Sequence, residues 1–170
     1  MTTNIKSKIN STGSLTSGQK NLLNEIATNN PKILYVDANA APASTTPASI
    51  STLAFNIKRN TKYFVEGHFP CLGDGTSGIA ANLATTNDPS DARIVFSYNI
   101  DNAANQTEVQ TDLTSPNPTG VAAAITLVTF QGHIFAGSSD DICNVQFGTN
   151  TGTTAAAVYK GGYIKVYEVE

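Results

Sequence analysis

His68, Cys71, His133 and Cys143 are the only histidines and cysteines of the chain, two of each, the ligand set of a common structural zinc site. Zinc motifs, however, bring their ligands in close like pairs, two thiols a few residues apart and then two imidazoles. Here each near pair is mixed, and His133 and Cys143 stand ten residues apart. The spacing predicts reduced, buried thiols and strand histidines, with no disulfide and no metal. Gly73–Gly78 spells G-x-G-x-x-G. A dinucleotide site needs a helix N-terminus directly after those glycines to hold pyrophosphate. Ile79-Ala-Ala-Asn-Leu leads instead to another turn with Pro89 close behind, so a hairpin loop is expected. Ser, His and Asp all occur, but the nucleophile motif G-x-S-x-G does not. Asp88, Asp91, Asp140 and Asp141 lie in turn-rich segments without the dense alternation of oxygen ligands of a calcium loop. No two acids are marked out for glycoside hydrolysis. The expectation is a protein with no catalytic, cofactor or metal site.

The elements around these residues follow from composition. The chain has 170 residues, enough for one domain with a substantial core. Thr, Ala, Asn, Ser and Gly make up half of it, and only 14% is charged. Such residues favour turns and β-edges over long helices, which excludes coiled coils and long bundles. No window approaches the about 20 consecutive apolar residues of a membrane span. The N-terminus lacks the apolar core and cleavage site of a signal peptide, so a cytoplasmic origin is expected. Residues 1–62 carry seven Lys/Arg against Glu25 and Asp37, a balance of +5, while residues 63–170 balance to −8. The basic part has no cluster with interleaved aromatics, so neither nucleic acid nor membrane is an expected partner.

From residue 52 onward the hydrophobic period is two: Leu53, Phe55 and Ile57, then Tyr63, Val65, Gly67 and Phe69, then Ile94, Phe96, Tyr98 and Ile100. Residues 121–135 are the longest apolar stretch, and 106–113, 142–147, 155–159 and 163–169 complete a series separated by Gly/Asn/Asp/Pro turns. Eight or nine strands punctuated this way predict an all-β fold, an antiparallel β-sandwich or jelly roll, for a body spanning 52–170. Residues 32–36 read as a short strand, and 38–51 as an Ala/Pro/Ser/Thr loop. Residues 1–31 read as an extended arm containing one amphipathic helix over about 16–28, with Thr16 and Gln19 at capping-box spacing and Leu22, Leu23 and Ile26 on one face. Near the C-terminus Tyr163 and Tyr167 fall on one strand face with Lys165 between them, an expected oligomer interface.

Three segments carry a resemblance: Leu53–Phe69, Thr126–Ile134 and Lys160–Val169, the last beginning Lys-Gly-Gly-Tyr-Ile-Lys-Val. Together they resemble the β-sandwich module of tailed-phage virion proteins, which include head decoration (cement) proteins and tail-fibre tips. The resemblance covers roughly residues 50–169 and implies a non-enzymatic virion protein. Its first implication is a decoration protein on the head surface, a homotrimer gripping the major capsid protein shell. The alternative is a fibre or spike tip that binds a host receptor or glycan, but the chain has no repetitive shaft. In the decoration reading the arm is the anchor, with Lys6, Lys8 and Lys20 meeting a negative shell and Leu22, Leu23 and Ile26 burying their stripe.

Overall fold

A strand with one buried face must alternate, because successive side chains point to opposite sides. A computed structural model, describing residues 30–41, 44–73, 75–76, 78–101, 103–114, 121, 123–149 and 156–169, shows this in the long strands, with one break in β8 between Ile125 and Val128 where the register shifts. The strands are β1 (Lys32–Tyr35), β2 (Ala48–Ser49), β3 (Phe55–Ile57), β4 (Lys62–Gly73), β5 (Ala80–Ala84) and β6 (Asp91–Ile100). They continue with β7 (Gln106–Gln110), β8 (Ile125–Phe135), β9 (Asp141–Gly148), β10 (Ala157–Val158) and β11 (Tyr163–Val169). The arm residues Lys6, Lys8, Lys20, Leu22, Leu23 and Ile26, and the expected helix, lie outside the described residues.

The pairings are antiparallel and make two sheets. The larger runs β1-β11-β4-β8-β6-β7, with β10 also on β4; the smaller centres on β9, flanked by β2, β3 and β5. The fold is an all-β antiparallel sandwich. Strands β1 and β2, from the segment ahead of the expected body, belong to these sheets, pairing with β11 and β9.

The core lies between the sheets. Tyr63, Val65 and Phe69 of β4 point inward beside Ile94, Phe96 and Tyr98 of β6, and all are buried. They meet Leu83 of β5 and Cys143, Val145 and Phe147 of β9. Aromatic rings tie the layers together. Phe96 and Phe130 lie 5.2 Å apart by centroid, Phe130 and Phe69 5.8 Å, and Phe69 meets Phe147 of the other sheet edge-on at 5.1 Å. Gly67 makes room for them: a Cβ there would stand 2.6 Å from both Phe130 Cζ and Phe69 Cε2.

The structure corrects the sequence reading in three places. The segment after Gly78 does lead to a turn, but it is itself the strand β5, which the sequence reading did not include, and its five residues are all buried. A strand covered on both sides need not alternate, and Ala is a weak strand signal. The Gly73–Gly78 loop is also not a hairpin. It carries the chain from β4 in one sheet to β5 in the other, and a Cβ on Gly73 would stand 2.9 Å from the Gly78 carbonyl carbon. Finally, Leu53 is buried from a single 3-10 turn, Ser51–Leu53, rather than from a strand.

The edge of β5 away from β9 is closed by a side chain. Gln110 Oε1 accepts from Leu83 N–H at 3.0 Å, and Gln110 Nε2 donates to Leu83 C=O at 2.8 Å. The amide thus stands in for a neighbouring peptide group, and Thr85 N–H continues the edge to Leu113 C=O at 2.9 Å. A Gln110→Ala variant strands both Leu83 groups and is expected to lose about 1–3 kcal/mol of stability, read from urea unfolding. A Gln110→Glu variant keeps the acceptor but not the donor, and is expected to remain below the parent.

Candidate functional site

Because alternation sends one set of side chains into the core, the opposite set of the large sheet forms its outer face. Register then decides who meets whom. Tyr35 of β1 stands opposite Tyr163 of β11, which stands opposite His68 of β4. His68 faces Thr129 of β8, Thr129 faces Ser97 of β6, and Ser97 faces Thr107 of β7. This row crosses six strands, beginning with three rings and ending with three hydroxyls. The next row runs Ile33, Lys165, Glu66, Gln131, Val95 and Val109.

The step from tall rings to short hydroxyls makes a groove. It has a volume of about 470 Å3 and is lined by the first row from Tyr163 to Thr107, by Glu66, Gln131 and Val95 of the second, and by Gly67 and Phe130 between them. His68 and Tyr163 stack with centroids 5.7 Å apart and planes 15° from parallel, and Tyr35 tilts against Tyr163 at 6.4 Å. Glu66 Oε1 accepts from Lys165 Nζ at 2.7 Å and from the Tyr167 hydroxyl at 3.3 Å. The hydrogen bond to Glu66 holds the Lys165 ammonium above its ordinary pKa, so Lys165 keeps its charge beside that carboxylate. Lys165 Nζ also lies 5.4 Å over the Tyr163 ring.

Tyr163 and Tyr167 therefore do share the outer face with Lys165, as their spacing predicts, but in different surroundings. Tyr163 walls the groove. Tyr167 lies beyond it, its ring 5.8 Å from that of Phe64, which is partly exposed. Exposed Val169 continues that apolar end of the face.

The four candidate zinc ligands are kept apart. His68 is in the groove; His133 Nε2 pairs with Asp91 Oδ2 at 2.9 Å on the surface. Cys71 and Cys143 are free and buried, one in each sheet. Among the described residues no three His, Cys, Asp or Glu side chains form a metal-holding group. Of the turn acids, Asp140 and Asp141 are occupied by backbone. Asp141 Oδ2 accepts from Thr86 N–H at 2.9 Å and Asn87 N–H at 2.6 Å, and Asp140 Oδ1 from Arg59 N–H at 2.8 Å. They brace loops.

Sequence reading singled out Tyr163 and discussed His68 only as a metal ligand; it missed Glu66, Ser97, Thr107, Thr129 and Gln131. Alternation places each of these on an outward face, but strand order and register, which bring them together, have no local sequence signal.

No family model and no curated protein matches this chain. Among solved structures it aligns with the infectious bursal disease virus VP2 subviral particle at 9% identity and a TM-score of 0.24, covering 85% of this chain and 43% of that one. A structure of the Gx strain of the same virus aligns at 11% identity and a TM-score of 0.19, covering 80% and 39%. The chain spans less than half the length of either. Likeness at this level carries nothing about function.

Burial pushes the Cys71 thiol from its ordinary 9.0 up to about 12. Cys143 and the Tyr98 hydroxyl are raised by burial too. A raised acid keeps its proton in the fold while the unfolded chain can lose it, so this contribution is complete below the unfolded value and is lost as pH climbs. The melting temperature is expected to fall between about pH 9 and pH 12. A Cys71→Ala/Cys143→Ala double variant, less stable at neutral pH, is expected to show a shallower alkaline decline in thermal scans.

Proposed function

We propose that this chain is a non-enzymatic structural protein of a virus particle, most specifically a decoration protein on the head of a tailed phage. The observation that carries the reading is where the three resembling segments lie. Separated by more than 50 residues on one side and more than 20 on the other, they supply most of β4, β8 and β11, which are adjacent in one sheet in the order β11-β4-β8, while the first segment also supplies β3 of the other sheet. That adjacency of the three strands supports reading the segments together.

The weakly charged exterior supports close packing between subunits, where desolvating charge is costly. In this reading the chain is a homo-oligomer, a trimer by resemblance. Tyr167, with Phe64 and Val169 beside it, is the preferred contact, since these side chains leave an apolar end on the outer face. The basic arm holds the major capsid protein shell through Lys6, Lys8, Lys20 and the Leu22, Leu23, Ile26 stripe, by attraction that salt screens. The protein is assembled in the host cytoplasm and resides on the virion head.

Oligomer mass, head incorporation and antibody labelling test this. Light scattering of the purified protein is expected to give about three times the 17.8 kDa chain mass, and a Tyr167→Asp variant to dissociate it; a parent monomer defeats the oligomer. Deleting residues 1–30 is expected to leave the melting temperature of the sandwich nearly unchanged while abolishing incorporation into heads. The full-length Leu22→Asp/Leu23→Asp variant is expected to do the same. Antibody labelling that decorates tail ends rather than heads would replace the decoration reading with the fibre-tip one.

A further inference from the structure

We propose that the groove across the outer face of the seven-stranded sheet binds a neutral glycan. The inference does not depend on the position of the protein in a particle, or on its being in one.

The lining chooses the ligand class. At about 470 Å3 the groove falls within the about 300–1,000 Å3 of small-ligand sites. One wall is aromatic, the stacked pair of His68 and Tyr163. The opposite side presents the hydroxyls of Thr129, Ser97 and Thr107 and the amide of Gln131. None of these four side chains is hydrogen-bonded to another described residue, so each has donor and acceptor capacity to offer. A sugar ring has matching halves, an apolar C–H face to lie against a ring and a rim of hydroxyls to exchange hydrogen bonds.

Other occupants fit less well. Among the described residues no Lys or Arg lines the groove, and the nearby Lys165 is held by Glu66 at 2.7 Å, so a phosphate or nucleic acid finds little free positive charge there. Glu66 is neutralised by the same contact, so it gives a cationic ligand little attraction. A purely apolar ligand would bury four polar side chains without partners, which is costly. An added peptide strand needs unpaired backbone, and His68, Thr129 and Ser97 lie on β4, β8 and β6, each paired on both sides.

The test uses the full-length protein on a printed array of neutral and sialylated glycans, followed by titration of the best neutral hit by NMR. The expected result is binding of a neutral glycan, with shift changes centred on the amides around His68, Thr129 and Ser97. Tyr163→Ala and the milder surface changes Ser97→Ala and Thr107→Ala are expected to weaken it at least about tenfold. Ile142→Ala, at an exposed position on β9 of the other sheet, is expected to leave it within about twofold. Three results overturn the proposal: no glycan retained, retention that survives both Tyr163→Ala and Ser97→Ala, or preference for sialylated over neutral glycans. If Tyr163→Ala instead dissociates an oligomer, the groove is a contact between copies and the glycan assignment is wrong. Because the readout needs only purified protein, its failure leaves head incorporation untouched, and loss of head incorporation leaves the glycan result standing.

Discussion

The sandwich depends on a ring contact made across its two layers. Phe69 of the large sheet meets Phe147 of the small one, and lies against Phe130, which in turn meets Phe96. All four rings are buried, and each contributes several times the hydrophobic stabilisation of the small Ala and Thr residues that dominate the composition. Gly67 is part of the same arrangement, since any side chain there would occupy the volume of two of the rings. Gly162 has a similar role on the far side of Phe69, where a Cβ would stand 2.8 Å from the ring. Removing the cluster takes the largest neighbouring rings out of the core between the two sheets.

Once those rings point inward, the outer face is determined. On β4, β6 and β11, and on β8 from Val128 onward, each inward residue commits its neighbours to the opposite side, because the side-chain period of a strand is two. The inward set Val65, Gly67 and Phe69 leaves Phe64, Glu66 and His68 outside. The inward Ile164 and Val166 leave Tyr163, Lys165 and Tyr167 outside. The groove is a consequence of the core: the same register that interdigitates the phenylalanines lines up rings beside hydroxyls on the other side of the sheet.

A low-charge chain must satisfy its backbone with neutral groups and a few well-used acids. Gln110 closes the β5 edge with one amide, and Asp141 gathers the Thr86 and Asn87 N–H groups where the chain turns after β5. Tyr63 reaches back to accept from Lys58 N–H at 2.9 Å, and Tyr98 accepts from Ala81 N–H at 3.3 Å. Side chains that look like candidate chemistry in the sequence are thus used on backbone. Pro70 is accommodated in the long strand β4 because the pairing with β11 ends at His68 and that with β10 resumes only at Cys71, so its missing N–H breaks no ladder there.

The sequence by itself determined the class of fold and the inward and outward faces of its long strands. Alternation at Tyr63–Phe69, Ile94–Ile100 and Tyr163–Val169 is a local property, legible without knowing any partner strand. It did not reveal β5, whose Ala-rich residues are covered on both sides and so carry no period. Nor did it reveal the groove. Tyr163 meets His68 across 95 positions of chain, and Ser97 lies 32 positions before Thr129. Strand order and register set those meetings, through packing contacts between segments far apart in the chain, so only the tertiary structure decided that a row of rings would end in a row of hydroxyls.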